Sequence, residues 1–109
     1  MIGADLENVQ VWLVTTPVDM RKGFDSLAEV VRNFLGRDPL SGHLFVFRNR
    51  GGHRLKILWW DRDGLAIYSK RLEQGEFQFP RANTPAIEVT REGLLRLLSG
   101  LNVAERKRA

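Results

Sequence analysis

Hydrophobic positions recur with two different periods along this chain, and the change of period divides it into elements. From Val9 to Thr16 (VQVWLVTT), Val9, Val11 and Leu13 share one side while Trp12 and Val14 share the other. That alternation predicts an interior strand with apolar side chains on both faces. Pro17 ends it, and Pro17–Gly23 (PVDMRKG) reads as a polar linker. The period then becomes 3.6. Leu27, Val30, Val31, Phe34 and Leu35 make the buried stripe of a helix, with Ser26 and Glu29 as a capping box, Phe24 packed on the first turn and Gly36 at the end. Asp38-Pro39-Leu40-Ser41-Gly42 follows as a turn.

Period two returns from His43 to Phe79. HLFVFR, RLKILWW and LAIYSKRL read as three strands, joined at Asn49-Arg50-Gly51-Gly52 and at Asp61-Arg62-Asp63-Gly64. A third turn at Glu73-Gln74-Gly75 leads to a short strand, Glu76–Phe79, and Ala86–Val89 reads as one more. Thr90 is placed to cap a last helix whose apolar face holds Leu94, Leu95, Leu97, Leu98 and Leu101. The pattern predicts an α+β fold: a single domain over residues 1–104, an antiparallel β-meander of four to five strands with two helices packed on one side of the sheet. Residues 105–109 read as a basic flexible tail.

Composition narrows the function. At 109 residues one core is all the chain can hold. The absence of cysteine excludes disulfides, thiol nucleophiles and Cys-based metal centres. No apolar run approaches the roughly 20 residues that span a bilayer, and no signal-peptide pattern opens the sequence, so a soluble cytoplasmic protein with no membrane partner is expected. The net charge of +4 is unevenly spread. Residues 43–81 carry eight basic and four acidic side chains, whereas residues 1–30 are net negative. Thirteen of the 17 basic residues are arginine, whose forked guanidinium suits phosphate and carboxylate.

Candidate chemistry concentrates in Arg54–Gly64. Leu55, Ile57 and Trp59 point to one face, and Arg54, Lys56, Leu58 and Trp60 to the other. In a three-stranded meander Arg54, Lys56 and Trp60 would lie near Arg48 on one neighbour and Tyr68 and Lys70 on the other, with Arg50 at a hairpin tip. Such a basic and aromatic surface fits a nucleic-acid backbone or a protein partner. Asp61 and Asp63 invite a metal-dependent nuclease reading, but Asp-x-Asp-Gly between two strands is also hairpin chemistry, with Gly64 taking the left-handed position. His43 and His53 flank the first hairpin, could face each other across it, and lack a third ligand at recognisable spacing. No catalytic constellation emerges, and no metal or cofactor is called for. In the linker, Asp19, Arg21 and Lys22 either form a functional loop or pair locally to shape the strand-to-helix turn.

Three segments carry a resemblance: Thr16–Asp25 (TPVDMRKGFD), Asp38–Arg50 (DPLSGHLFVFRNR) and Lys56–Gly64 (KILWWDRDG), followed by Lys70-Arg71-Leu72-Glu73 and Gly75-x-Phe77. Over residues 10–100 the chain resembles the TnpB-type accessory proteins, second open-reading-frame products of bacterial insertion sequences of the IS-sixty-six class. The RNA-guided nuclease also called TnpB is unrelated. The resemblance implies a non-enzymatic factor that assists a DDE-type transposase, with the cognate transposase, other transposon-encoded proteins and transposon DNA as partners. A purely protein-binding subunit is the alternative, and the resemblance brings no catalytic residues with it.

Overall fold

The computed structural model describes residues 8–100. They form strands β1 (Val11–Val14), β2 (Leu44–Arg48), β3 (Arg54–Asp61), β4 (Gly64–Arg71) and β5 (Ala86–Val89), with helices α1 (Phe24–Glu29) and α2 (Arg91–Leu98). A π-helical turn, Val30–Phe34, continues α1. One five-stranded sheet runs in the order β4-β3-β2-β1-β5. The α+β reading holds, but the sheet is mixed. β1 and β2 are parallel, with Val11 beside Leu44, and the remaining pairs are antiparallel. A helical crossover between β1 and β2 returns the chain in the same direction, which a short hairpin cannot do. The meander survives as β2–β3–β4.

The helices lie on opposite faces of the sheet, not on one. Leu27, Ala28 and Val31 bury against Val14, Phe45, Phe47 and Leu58 on one side. Leu94 and Leu97 bury with Leu13, Leu44, Val46, Leu55, Ile57 and Trp59 on the other. The signal for this was β2: Leu44, Phe45, Val46 and Phe47 are all buried, and a strand apolar at both parities needs cover on both faces.

Local capping also departs from the pattern. Gly23, not Ser26, precedes α1, and Leu27 N–H donates to the Gly23 carbonyl at 2.9 Å. The capping box therefore does not form; Glu29 instead accepts from the Asn33 amide at 2.6 Å. Phe24 and Phe34 remain half-exposed, because the π turn, closed by Leu35 N–H on the Val30 carbonyl, rotates Phe34 off the sheet. Gly36 does end the segment, at φ 65°. Thr90 caps α2 as expected, its hydroxyl accepting from Gly93 N–H at 3.0 Å. Leu95 is exposed, while Leu101 and the tail 105–109 lie outside the described residues.

The segment Glu76–Phe79 is not a strand. β4 and β5 occupy opposite edges of the sheet, so the connection between them crosses the α2 face. Phe77 is buried in that face, with Leu72, Phe79 and Ala82 packed around it. Among the described residues no helix is long and apolar enough to cross a membrane.

At the β3–β4 turn the left-handed residue is Arg62 (φ 58°), not Gly64. Asp63 N–H closes on the Asp61 carbonyl at 2.6 Å, which makes Arg62 the centre of a tight three-residue turn. A side chain at positive φ costs on the order of 1 kcal/mol. Replacing Arg62 with glycine is therefore expected to raise unfolding free energy by roughly 0.5–1 kcal/mol, read as a later urea midpoint at unchanged slope.

Candidate functional site

The β3–β4 register decides which candidate side chains can act together. Arg54 lies opposite Arg71, Leu55 opposite Lys70, Ile57 opposite Tyr68 and Trp60 opposite Leu65. Arg48 lies opposite Leu55 on the other neighbour. Directly opposed residues share a face. Arg54, Lys56 and Trp60 therefore project to the α1 side, and Arg48, Tyr68 and Lys70 to the α2 side. The single basic and aromatic platform is split in two by the sheet. Trp60 is also six residues from Arg54 along β3, about 20 Å.

Three of the cations are held by backbone. Lys56 Nζ donates to the carbonyls of Met20 and Lys22, both at 2.8 Å. It ties the Asp19–Gly23 linker to the sheet. Lys70 Nζ donates to the Leu98 carbonyl at 2.7 Å, closing the carbonyl end of α2. Arg48 donates from Nη2 to the Thr15 carbonyl at 3.1 Å and sits 5.1 Å from the Phe79 ring centre. Burial lowers the pKa of the Arg48 guanidinium, opposed by the charge of Glu76.

The linker forms a local turn. Arg21 Nε and Nη2 fork onto the Asp19 carboxylate at 2.6–3.1 Å, and the same carboxylate accepts from Arg21 N–H at 2.8 Å. These bonds hold the Asp19 carboxyl down to about 2, and Asp19 in turn raises the pKa of Arg21. Lys22 N–H donates to the Asp19 carbonyl at 3.1 Å. The pairing is fully exposed, so its weight is in shaping the loop and not in stability.

What remains open is a groove of about 600 Å³ between this linker and the first hairpin, lined by Pro17–Met20, Asn49–Gly51, His53, Arg54 and Arg71. It runs on into a second hollow of about 480 Å³ that shares Met20, Arg54 and Arg71. Asn49 shapes the mouth: its side chain accepts from Arg54 N–H and its own N–H donates to the Arg54 carbonyl, both at 3.1 Å. Gly52 (φ 78°) turns the tip and carries Arg50 into solvent. Arg54 and Arg71, both exposed, face each other directly across the ladder. Such like-charge pairs are destabilising. Glu73 takes Arg71 Nε at 3.0 Å. Arg71, absent from the sequence-level candidates, was findable there: a two-residue loop at Arg62-Asp63 sets the register that places 71 against 54.

His43 and His53 sit at opposite ends of the β2–β3 hairpin. His43 Nδ1 accepts from Gln10 N–H at 2.9 Å, and His53 lies at the groove beside Asn49. Asp61 and Asp63 belong to the tight turn. Among the described residues no group of three or more His, Asp or Glu side chains converges to hold a metal.

The sequence profile of the IS66 Orf2-like proteins matches residues 9–108. The chain belongs to this family. IS66 Orf2-like proteins are transposition accessory proteins of IS66 insertion sequences. Two relatives come from Sinorhizobium fredii. The uncharacterized protein y4hO is 46% identical over 96 residues, covering 88% of this chain and 84% of the relative. The uncharacterized protein y4jC is 35% identical over 108 residues, covering 99% and 92%. No solved structure is a significant match. Within this IS66 Orf2-like chain the linker and the groove residues Asn49 and Arg50 lie in two of the segments that carried the resemblance, Thr16–Asp25 and Asp38–Arg50, and Arg71 lies in Lys70–Glu73, whereas His53 and Arg54 lie outside them.

Proposed function

We propose that the chain assists IS66 transposition by gripping the phosphate backbone of transposon DNA in the groove headed by Arg54 and Arg71. The carrying observation is that like-charge pair, directly opposed on an exposed face, in which Glu73 occupies only Nε of Arg71 and, among the described residues, no carboxylate meets Arg54. A phosphate between the two guanidinia would meet the whole fork of Arg54 and the Nη groups of Arg71 that Glu73 leaves open. Arg50 at the hairpin tip extends the same surface, and Lys56 serves it from beneath by fixing the linker wall.

Binding of this kind is sequence-tolerant and salt-sensitive. Titrating labelled duplexes of the element's ends with the full chain, at a series of salt concentrations, is expected to give a log–log slope of roughly −2 to −3, as for two or three neutralised phosphates. Failure to bind at 50 mM salt and about 50 µM protein, or an affinity that salt leaves unmoved, would remove the proposal.

A protein-binding reading has its own support. Phe34 is 51% exposed and lines an apolar hollow of about 250 Å³ with Val14, Thr16, Val18 and Val30. A segment of the transposase that presents an apolar side chain would fit there. Co-purification with the transposase before and after nuclease treatment separates the two: a contact that survives nuclease is protein-mediated.

A further inference from the structure

We propose that the outer edge of β4 pairs with the β4 edge of a second copy of this chain, joining two sheets into one of ten strands. β4 is eight residues long, ends the sheet, and carries no proline. Leu72 N–H donates to the His53 carbonyl at 2.8 Å, which makes His53 and Leu72 a hydrogen-bonded pair of the β3–β4 ladder. Bonded and non-bonded pairs alternate along an antiparallel ladder. The residues whose peptide groups point outward are therefore Leu65, Ile67, Ser69 and Arg71, and among the described residues no strand pairs with that edge. A long unpaired edge of this kind is a template for another strand.

Parity limits the registers a second copy could take, because outward-pointing residues must meet outward-pointing residues. In the one centred on Ile67, Ile67 meets its own counterpart and Leu65 meets Ser69. The same register sets Asp63 of each copy beside Arg71 of the other, and Lys70 opposite Gly64. Opposite charges meet twice and no like charges face each other, so the edge complements itself. Leu65, Ile67 and Tyr68, partly buried in the single chain, gain cover. An occupant from another protein would need an edge carrying the same charge order, whereas a second copy has it by symmetry. The pairing also leaves both α1 helices on one side, with the two Arg54–Arg71 grooves about 27 Å apart along the strands.

Sedimentation equilibrium on the full chain from about 5 to 300 µM is the test, since an edge contact smaller than a standard interface is expected to be of micromolar strength. A monomer–dimer equilibrium is expected. Ser69→Pro removes only an outward N–H and is expected to shift it at least tenfold toward monomer with thermal unfolding retained. Should that variant not fold, Asp63→Arg is expected to weaken the dimer, and Asp63→Arg with Arg71→Asp to restore it. A chain monomeric at 300 µM, or a dimer that both Ser69→Pro and Asp63→Arg leave intact, overturns the proposal. A chain monomeric alone that loses transposase binding through Ser69→Pro reassigns the edge to the transposase and overturns it equally.

Discussion

Replacing Arg54 with glutamate is expected to strengthen the fold while weakening its hold on nucleic acid. The two effects have opposite signs because one contact serves them in opposite ways. Arg54 and Arg71 are directly opposed, and among the described residues the Arg54 side chain makes no hydrogen bond of its own. Glutamate at 54 turns repulsion into attraction, worth roughly 0.2–1 kcal/mol across an antiparallel pair. The backbone bonds to Asn49 do not depend on the side chain and persist. In the groove, however, a cation is lost and an anion is set where phosphate would sit. Affinity is expected to fall roughly 10- to 100-fold at 50–100 mM salt, and the salt slope to fall by about one. Arg54 stands on β3, away from the β4 edge, so the sedimentation behaviour is expected to stay as it was. Paired urea and binding titrations check both signs. An affinity within twofold of the parent would show that Arg54 touches no phosphate.

Phe47→Ala carries the largest expected cost to stability. Phe47 is completely buried on the α1 face of β2, between Leu27, Val31 and Leu58. Removing a fully buried phenyl ring forfeits its transfer energy and leaves a cavity, together about 3–5 kcal/mol. A domain of this size has about 5–15 kcal/mol in all, so the variant is expected to melt roughly 15–25 °C lower. Phe34→Ala is the control. That ring is half-exposed at the end of the π turn, and its loss is expected to cost well under 1 kcal/mol. Equal costs for the two would mean that the helix lies differently on the sheet.

Much of this fold was legible because side-chain alternation is a local property. β3, β4, β5 and the Thr90 cap were all visible as runs and turn residues. Pairing direction is not local. Nothing in VQVWLVTT states whether its neighbour runs up or down, and the parallel β1–β2 contact follows from where the crossover helix lands. The two-sided burial of β2 was readable in LFVF, where both parities are apolar, yet assigning both helices to one face overlooked it. The candidate residues do not share one face for a related reason. Lys56 and Lys70 look like surface cations in the sequence, but each stem reaches a backbone carbonyl contributed from far along the chain. Long cationic side chains close loop and helix ends as readily as they meet ligands. The resemblance identified the family, whereas the residues free to act became visible only with the register.

Of the five strands described, β1 comes first in the chain and is the last to be enclosed on both sides. Residue 11 pairs with residue 44 on one side and with residue 89 on the other. On a translating ribosome at 5–20 residues per second, β1 waits roughly 4–16 s before β5 emerges. During that interval one backbone edge of β1 stays open beside an apolar strand. The β2–β3–β4 hairpins, made of near neighbours in sequence, can form meanwhile, and the β1–β5 ladder is the slow, long-range step that completes the sheet. A nascent chain arrested before residue 86 would therefore display β1 as a free edge.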